Sequence, residues 1–393
     1  MACMDTIVVV GAGLAAAKAV ETLRDEGFEG RITLVGSEKH LPYERPPLSK
    51  EVLLGDKQTS EAVLHDADWY AERDVTVRDG VTVTSLDTEA KRLQLDSGEP
   101  LEYDALLLAT GAEPRVLDVP GADRAVYLRT IEDCERLDAV LGSGGPLVVV
   151  GGGWIGLEVA AAARSRDVPV TLLERGDLPL ANVLGRELAQ HLAELHLTHG
   201  VDLRTRTEVS QILVEGDETT GVVTPDGTVR GTVVVAVGAE PSVDLARDAG
   251  LDVDDGIVTD ERFRTSADGV WAAGDVATVA HPRYGSLRVE HWDNAIRQGQ
   301  AAARSILGQD VTHDWEPYFF TDQYDFGMEY VGHAGPDDDV ELRGDVSEDA
   351  FIAYWLDGDT VTAAMNVGIW DVNDQLRELV GTTVDRADLT DLR

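Results

Sequence analysis

The stretch Ile7-Val-Val-Val-Gly-Ala-Gly-Leu-Ala-Ala16 runs from an apolar strand through a glycine-rich turn into a helix. Its Gly11-x-Gly13-x-x-Ala16 spacing fits a dinucleotide fingerprint. In such a fingerprint the first glycine makes the turn, the second lets the backbone approach a pyrophosphate, and the small third residue lets helix pack on strand. The stretch therefore predicts a Rossmann-like unit. Glu38 follows the next apolar strand, residues 32–35, and is the candidate to bind the adenosine ribose, with Ser37 beside it.

A second copy of this pattern begins at Leu147-Val-Val-Val-Gly-Gly-Gly-Trp-Ile-Gly156. The two copies also end alike, because residues 106–114 and 233–241 are each an apolar strand followed by Gly-Ala-Glu-Pro. The repeat predicts two dinucleotide-binding domains, one inserted in the other. After the insertion we expect the chain to return to the first domain with a strand and turn at 269–275. A helix from about Asp293 to Leu307 should follow.

The second fingerprint, Gly151-x-Gly153-x-x-Gly156, is the stronger one, and Glu174 lies 23 residues after its first glycine. Glu174 is expected at the end of a strand over 168–173. A carboxylate there accepts a hydrogen bond from a ribose 2′-hydroxyl and repels a 2′-phosphate. The second domain is therefore predicted to bind NADH in preference to NADPH, although Arg175 follows immediately and could soften that preference.

The pair Gly274-Asp275 ends a predicted strand at the start of a helix. Such a pair puts a carboxylate near the ribityl hydroxyls of a flavin and amide donors near its pyrophosphate. As a helix cap alone it would be ordinary. Beside a dinucleotide fingerprint it indicates that the first domain binds FAD.

From about residue 311 onward aromatic residues become frequent, and strand-like stretches occur at Phe351–Leu356 and Val361–Val367. These features predict a third domain of the α+β type. The acidic tract Pro336–Asp339 is interpreted as a solvated hairpin turn. The chain as a whole is predicted to be α/β. Its predicted parts are an FAD-binding domain at 1–111 and 242–310, an NAD-binding domain at 112–241 and a C-terminal α+β interface domain at 311–393.

Acidic residues outnumber basic residues 73 to 33, which gives a formal charge of −40. Binding to nucleic acid or to an anionic membrane surface is therefore not expected. Cys3 and Cys134 are the only cysteines and form no CxxC pair, which argues against a redox disulfide, a cysteine zinc site or an iron–sulfur cluster, so no metal site is predicted. We expect a cytoplasmic protein, because few cysteines suit a reducing compartment and no apolar stretch is long enough to span a membrane.

The segment Leu41-Pro-Tyr-Glu-Arg-Pro-Pro-Leu-Ser-Lys50 closely resembles the ferredoxin reductases of oxygenase electron-transfer chains. The resemblance extends over almost the whole chain and includes Gly151–Glu158, Gly274-Asp275, Glu290–Ala295 and Tyr318–Tyr324. It implies a glutathione-reductase-like fold. It also implies that Lys50 lies near the reactive flavin nitrogen and pairs with Glu158, which makes these two the catalytic candidates.

The motifs and the resemblance together give a set of cofactor-binding candidates. The resemblance implies that eight of them line FAD: Ala15, Ser37, Arg45, Lys50, Val83, Arg129, Asp275 and Trp292. Ser37 replaces an aspartate common in this family, so ribose binding is expected to depend on Glu38. The remaining candidates are Gly11, Gly13, Leu14, Glu38, Ala109, Thr110, Gly111, Gly274, Glu290, His291, Gly151, Gly153, Trp154, Ile155, Gly156, Glu158, Glu174, Val237 and Gly238.

Disulfide reductases of the same superfamily carry a reactive cysteine in the segment that corresponds to 41–50, and none is present here. Electrons should therefore leave reduced flavin directly for an external acceptor, which the resemblance implies is a small iron–sulfur ferredoxin serving a cytochrome P450 or a Rieske-type oxygenase. The predicted cofactors are FAD and NADH. The alternative is a redox-sensing flavoprotein similar to apoptosis-inducing factor. A third possibility, an NADH peroxidase or oxidase, lacks its cysteine.

Two mostly acidic proteins need a local basic patch in order to associate. The stretch His281–Arg304 carries four arginines, at 283, 288, 297 and 304, against only Glu290 and Asp293. We therefore predict that the ferredoxin docks on this stretch, near Trp292. The alternative is that the arginines neutralise neighbouring acids and that Trp292 only packs against the flavin ring.

Overall fold

The computed structural model describes residues 4–392, so Cys3 lies outside the described residues. The described chain forms two compact units. The first contains the chain as far as Glu44, then Ala62–Glu113 and Glu240–Pro317; the second contains Arg45–Glu61, Pro114–Ala239 and the chain from Tyr318 onward. No helix within the described residues is both long enough and apolar enough to cross a membrane.

The bounds of the regular elements follow in chain order. The strands are β1 (Thr6–Val10), β2 (Arg31–Val35), β3 (Val75–Arg78), β4 (Val83–Asp87), β5 (Arg92–Leu95), β6 (Pro100–Glu102), β7 (Ala105–Leu108), β8 (Ala112–Pro114), β9 (Leu147–Val150), β10 (Val170–Leu173), β11 (Asp202–Arg204), β12 (Gln211–Glu215), β13 (Glu218–Thr224), β14 (Gly227–Arg230), β15 (Thr232–Val235), β16 (Ala239–Pro241), β17 (Val253–Asp254), β18 (Gly256–Thr259), β19 (Val270–Ala272), β20 (Ala277–His281), β21 (Gly285–Leu287), β22 (Tyr318–Gln323), β23 (Phe326–Gly332), β24 (Asp339–Asp345), β25 (Ala350–Asp357) and β26 (Thr360–Val367). The α-helices are α1 (Leu14–Asp25), α2 (Pro46–Ser49), α3 (Glu51–Leu54), α4 (Ala67–Glu72), α5 (Ile131–Gly142), α6 (Trp154–Ser165), α7 (Ala181–Leu184), α8 (Arg186–Thr198), α9 (Asp244–Asp248), α10 (Trp292–Ile306) and α11 (Asn373–Leu379).

The first unit is built on a five-stranded sheet with the order β19-β7-β1-β2-β3, in which all neighbours are parallel. Ile7, Val8 and Val9 of the central strand are fully buried, as expected for a parallel strand covered on both faces. The edge strand β19 comes more than 150 residues after its neighbour β7. The chain therefore returns to the first sheet after an insertion, as the repeat predicted.

Helices α1 and α10 pack closely in the first unit. A Cβ at Gly299 would overlap the backbone carbonyl oxygen of Ala15, so only glycine permits this approach. Helix α10 begins at Trp292 and ends at Ile306, one residue from the predicted bounds at each end. Gly308 follows it with a φ of +80°, which fits a glycine stop.

The second unit contains a parallel sheet with the order β11-β10-β9-β15. Strand β10 begins at Val170, whereas the sequence predicted a start at residue 168. Pro169 has no N–H to contribute to a ladder, and its carbonyl instead accepts from Leu147 at 2.8 Å. A three-stranded antiparallel sheet, β12-β13-β14, belongs to the same unit.

The C-terminal part of the second unit is an antiparallel sheet with the order β22-β23-β26-β25-β24. One face packs against residues of α7 and α8, including Leu188 and Leu192, and the other packs against α11. Two parallel nucleotide-type sheets followed by an antiparallel domain confirm the predicted fold class. The interpretation of Pro336–Asp339 as a hairpin turn is wrong. The tract joins β23 to β24, which are not neighbours, because β26 and β25 lie between them.

Candidate functional site

The first glycine turn follows β1. Gly11 has a φ of +104°, a region that favours glycine, and its N–H donates to the Val35 carbonyl at 2.8 Å. A Cβ at Gly11 would overlap the carbonyl oxygen of Ala109, just after β7. By contrast, apart from its neighbours along the chain, Gly13 has no atom of the described residues within 4 Å of its Cβ position. The turn is closed on its sheet side and open beside Gly13.

The second glycine turn repeats this geometry after β9. Gly151 has a φ of +105°, and its N–H donates to the Leu173 carbonyl at 2.9 Å. A Cβ at Gly151 would overlap the carbonyl oxygen of Ala236, which follows β15. At Gly153 the nearest atom apart from its neighbours along the chain is the Ala236 carbonyl oxygen, 3.9 Å from the Cβ position. The two turns therefore have the same backbone conformation and the same close approach to the neighbouring strand.

The helices that begin at these turns have uncapped N-termini. Neither Gly13 nor Gly153 provides a side chain for the N-cap position, and the first turns of α1 and α6 contain no acidic residue. Their backbone N–H groups and positive dipole ends are available to an anion. Open space beside an uncapped helix is what a dinucleotide pyrophosphate requires.

The third position of the fingerprint differs between the copies. Ala16 is fully buried in α1, so the first turn accommodates a methyl group. At Gly156 a methyl group would overlap the carbonyl oxygen of Gly151. Helix α6 therefore approaches its own turn more closely than α1 does.

The two ribose candidates lie beyond the second strand of each copy. In the first unit the Tyr43 hydroxyl donates to Glu38 Oε2, and Ser37 is exposed. In the second unit Glu174 Oε2 accepts from the Gly152 N–H at 2.8 Å and Oε1 from the Gly176 N–H at 2.5 Å. A carboxylate has about four acceptor positions, so Glu174 can also accept from a sugar hydroxyl.

Lys50 and Glu158 lie in the second unit, and the structure brings them together. Lys50 Nζ is 2.8 Å from Glu158 Oε1, and Glu158 is 4% exposed. Lys50 stands between the short helices α2 and α3, and Glu158 lies in α6. Their assignment as catalytic residues remains a prediction, because the geometry defines the pair but not the flavin.

Three contacts to this pair were not predicted from the sequence. Ser49 Oγ donates to Glu158 Oε2 at 2.5 Å, and Thr321 Oγ1 donates to Oε1 at 2.6 Å. The Phe320 ring centroid lies 5.3 Å from Lys50 Nζ, within the range of a cation–π contact. The segment 318–324 contributed to the resemblance, but nothing in the sequence showed which of its side chains turn toward Glu158.

The other flavin candidates of the first unit lie near the ends of its strands and at the start of α10. The Gly274 N–H donates to Gln298 Oε1 at 2.8 Å, and Arg288 donates to the Asp275 carbonyl at 3.3 Å. Trp292 Nε1 donates to Glu44 Oε1 at 3.0 Å. The remaining candidates of this unit are placed as follows: Leu14 at the start of α1, Val83 at the start of β4, Thr110 and Gly111 just after β7, Glu290 in an ion pair with Arg288, and His291 at the N-cap of α10.

The remaining candidates lie in the second unit. Arg45 donates to the Arg129 carbonyl, which joins two residues that the resemblance implies line FAD. The Trp154 ring lies 5.1 Å from the Phe319 ring. Ile155 is the next residue of α6 and is exposed, and Val237 and Gly238 follow β15.

Cys134 is buried and is the only cysteine among the described residues. Its Sγ donates to the Leu48 carbonyl at 3.2 Å, and burial raises the pKa of the thiol to about 12. A thiol held in its protonated form is a poor nucleophile and a poor redox group. The structure therefore offers no cysteine chemistry at residues 4–392.

The four arginines of the predicted docking stretch are each paired with a carboxylate. Arg283 pairs with Glu316 at 2.5 Å, Arg288 with Asp255 and Glu290 at 3.1 and 2.5 Å, Arg297 with Asp293 at 2.7 Å, and Arg304 with Glu26 at 2.9 Å. Three of these acids, Glu26, Asp255 and Glu316, lie outside the 281–304 stretch, so the count of charges within that stretch did not include them. The structure thus favours the alternative that the arginines neutralise neighbouring acids.

Comparison with known proteins gives matches along almost the whole chain. A family model described as pyridine nucleotide-disulphide oxidoreductase matches residues 5–299, and one described as reductase C-terminal matches residues 318–393. Rhodocoxin reductase of Rhodococcus erythropolis is 38% identical over 89% of this chain and 83% of its own length. The ferredoxin–NAD(+) reductase component of the biphenyl dioxygenase system of Paraburkholderia xenovorans is 38% identical over 97% of this chain and 94% of its own length.

Among solved structures, the covalent putidaredoxin reductase–putidaredoxin complex contains a chain that matches with a TM-score of 0.92 at 35% identity, covering 96% of this chain and 93% of that chain. These matches confirm the predicted resemblance to ferredoxin reductases of oxygenase systems. The chain therefore belongs to the pyridine nucleotide-disulphide oxidoreductase family.

Proposed function

We propose that this protein is an NADH-dependent ferredoxin reductase. It takes a hydride from NADH onto FAD and passes single electrons to a small iron–sulfur ferredoxin that serves a cytochrome P450 or a Rieske-type oxygenase. Rhodocoxin reductase, the biphenyl dioxygenase reductase component and the putidaredoxin reductase complex support this proposal through what their names say they reduce or bind.

The observation that carries the proposal is the pair of matching glycine turns, each at the start of an uncapped helix. One chain with two such anion sites has places for two dinucleotides. Cys134 is the only cysteine within residues 4–392 and is held as a protonated thiol, so this part of the chain offers no disulfide for electrons to pass through. An oxidoreductase with two dinucleotides and no thiol relay must deliver electrons to an external acceptor.

The residues at both turns suit the two nucleotides. In the first unit the turn Gly11–Gly13 and the N–H groups at the start of α1 hold the FAD pyrophosphate, and Glu38 accepts from its ribose. In the second unit the turn at Gly151 and the start of α6 hold NADH, and Glu174 accepts from the ribose 2′-hydroxyl. The space at the Cβ position of Gly13 supports this assignment, because a side chain there would fill it.

When bound, FAD would supply a group that accepts two electrons together and releases them one at a time. The protein supplies orientation and a fixed electric field. Lys50 holds a positive charge at one position because Glu158 anchors its ammonium group at 2.8 Å. A fixed ammonium stabilises negative charge that develops beside it without any reorganisation of the protein.

Reduction by NADH of the purified, FAD-loaded protein tests the proposal. We expect a yellow protein with one FAD per chain that bleaches on anaerobic addition of NADH and turns over with ferricyanide and with a ferredoxin. The matched control is Cys134→Ser, which should keep full turnover because the thiol takes no part. A folded protein that binds no FAD would contradict the proposal, and so would a Cys134→Ser variant that has lost its activity. A bleached protein that fails to turn over would favour the redox-sensing alternative.

A cytoplasmic location is also proposed. It is supported by the free thiol of Cys134, which suits a reducing compartment. Cell fractionation with an antibody to the protein would test it.

A further inference from the structure

A row of buried polar side chains leads away from the Lys50–Glu158 pair. Thr321, Gln323 and His196 are each at most 1% exposed, and none of them belongs to a glycine turn or to a predicted site. Thr321 and Gln323 are two residues apart in β22 and so lie on the same face of the strand, while His196 lies in α8. All these residues belong to the second unit.

Each member of the row is hydrogen-bonded to the next. Thr321 Oγ1 lies 2.6 Å from Glu158 Oε1, Gln323 Nε2 lies 3.3 Å from Thr321 Oγ1, and His196 Nε2 lies 2.8 Å from Gln323 Oε1. The Tyr324 hydroxyl lies 3.4 Å from His196 Nδ1 at the end of the row. The result is a continuous hydrogen-bonded chain from the Glu158 carboxylate to the Tyr324 hydroxyl.

The carboxylate fixes the direction of every bond in this chain. The Glu158 carboxylate oxygen accepts from the Thr321 hydroxyl, and the same hydroxyl accepts from the Gln323 amide. The Gln323 carbonyl then accepts from His196, which places the ring proton on Nε2. Burial lowers the pKa of His196 to about 4, so the ring is neutral and can take this tautomer at neutral pH. Every donor in the chain therefore points toward Glu158.

Among the described residues, three side chains donate to the Glu158 carboxylate, namely Lys50, Ser49 and Thr321. Burying a carboxylate is costly unless its oxygens are hydrogen-bonded, so a nearly buried carboxylate needs several donors. The donor from Thr321 differs from the other two, since it is strengthened by the dipoles of the amide and imidazole behind it. Its loss would weaken the anchor of the Lys50 ammonium and leave the Gln323 amide without its acceptor.

We propose that Thr321, Gln323 and His196 are positioning residues that hold the Glu158 carboxylate in one orientation, and thereby keep the Lys50 ammonium at one fixed place. The importance of that place for electron transfer rests on the proposed function. The hydrogen-bond chain itself does not, because every contact in it is between side chains of this protein.

Chemical labelling of lysine gives a test that needs no turnover. Acylation of the FAD-loaded protein, read by mass spectrometry for each lysine, reports how firmly Lys50 is held as a paired ammonium, because only the uncharged amine reacts. Exposed Lys39 serves as the internal reference. The variants are Thr321→Val, which removes the hydroxyl at nearly constant volume, and Thr321→Ser, which restores it. Thr224→Val is the matched control, since Thr224 is also buried in the second unit but donates to the Gly227 carbonyl.

In Thr321→Val we expect Lys50 labelling relative to Lys39 to rise about fivefold, as the loss of one charge-assisted hydrogen bond allows. Thr321→Ser and Thr224→Val should stay within about twofold of the wild type, and Gln323→Met should give a smaller rise than Thr321→Val. In steady-state reduction of ferricyanide by NADH, Thr321→Val should lower kcat about threefold and leave KM for NADH nearly unchanged.

A merely structural role for Thr321 predicts a different result. Thr321→Val and Thr224→Val would then lower the melting temperature alike, and Lys50 labelling would equal that of the wild type, which would overturn the proposal. A protein that reduces no ferredoxin would refute the proposed function instead and would leave the labelling result intact. The two failures are therefore distinguishable.

Discussion

The two glycine turns have the same backbone conformation, but the carboxylates predicted to bind ribose, Glu38 and Glu174, accept from different partners. In the second copy Glu174 accepts from Gly152, a member of the turn itself, and from Gly176. In the first copy Glu38 accepts from Tyr43, which lies outside the turn. The turn and the predicted ribose-binding carboxylate of the second site are thus joined by a hydrogen bond.

Ala12 occupies the place of Gly152 in the first copy. A Cβ at Gly36 would overlap the Ala12 methyl group, so Ala12 packs closely against Gly36. In the second copy the corresponding Gly152 instead donates its N–H to the Glu174 carboxylate. In the second site the turn and the carboxylate are therefore coupled directly. A change that breaks this link in the second turn should therefore disturb both folding and nucleotide choice.

The largest expected effect is that of Gly156→Ala, because the added methyl group would overlap the Gly151 carbonyl oxygen. We expect the free energy of unfolding, measured by urea denaturation, to fall by about 3 kcal/mol. Gly153→Ala is the control, since its methyl group has space, and should cost less than about 1 kcal/mol while weakening NADH binding. Equal losses in the two variants would show that the close approach of α6 is not what separates the copies.

The second prediction asks whether both units respond alike to acid. Burial lowers the pKa of His196 in the second unit to about 4 and that of His313 in the first to about 3, from an ordinary value of 6.5. Below pH 6.5 the two histidines become protonated in the unfolded chain but stay neutral in the folded chain, so the free energy of unfolding falls as the pH falls. Each histidine should remove about 2 kcal/mol between pH 7 and pH 5.

Urea denaturation at both pH values checks this loss. His196→Gln and His313→Gln should each flatten the pH dependence by a similar amount, and the double variant by the sum. If the double variant keeps the wild-type dependence, groups other than these two histidines cause the acid sensitivity.

The third prediction concerns nucleotide choice. Glu174→Gln removes the negative charge that repels a 2′-phosphate but keeps an oxygen that can accept from a backbone N–H. We expect the ratio of kcat/KM for NADH to that for NADPH to fall about tenfold. Glu38→Gln should loosen FAD and leave the ratio unchanged. An unchanged ratio in Glu174→Gln would place ribose recognition elsewhere.

The smallest expected effect is at the arginines of α10, in the first unit. Arg297→Gln and Arg304→Gln each break one partly exposed ion pair, so each should change the free energy of unfolding by less than about 1 kcal/mol. Because these charges are already neutralised, ferredoxin-dependent turnover at low salt should change by less than about twofold. A tenfold loss in either variant would restore this face as the docking site.

The parts predicted well from the sequence are those determined by local pattern. Apolar runs beside glycines predicted β1, β9 and both turns, and the matching ends of the two copies predicted the insertion. Contacts between distant segments were not visible in this way. Glu26 and Glu316 neutralise two of the arginines from outside the 281–304 stretch, so a local count of charges could not find them.

The buried chain behind Glu158 shows the same limit. Thr321 and Gln323 alternate along β22 with Phe320 and Asp322, and only the packing of the sheet decides which pair turns inward. The family resemblance gave Lys50 and Glu158 but no role to Thr321. A polar residue in a strand can serve the core or the solvent, and its sequence context does not distinguish the two.

The order of the strands in the first sheet has a consequence for synthesis of the protein. Strand β1 leaves the ribosome first, but the sheet to which it belongs is complete only when β19 has been made, more than 250 residues later. At ordinary elongation rates this takes roughly 10 to 50 s. The strands of the second parallel sheet all lie between residues 147 and 235, so that sheet can close several times sooner after its first strand appears. The edge of β7 that later pairs with β19 therefore stays unpaired in the nascent chain while the second parallel sheet forms. The sheet whose first strand is made earlier is the one completed later.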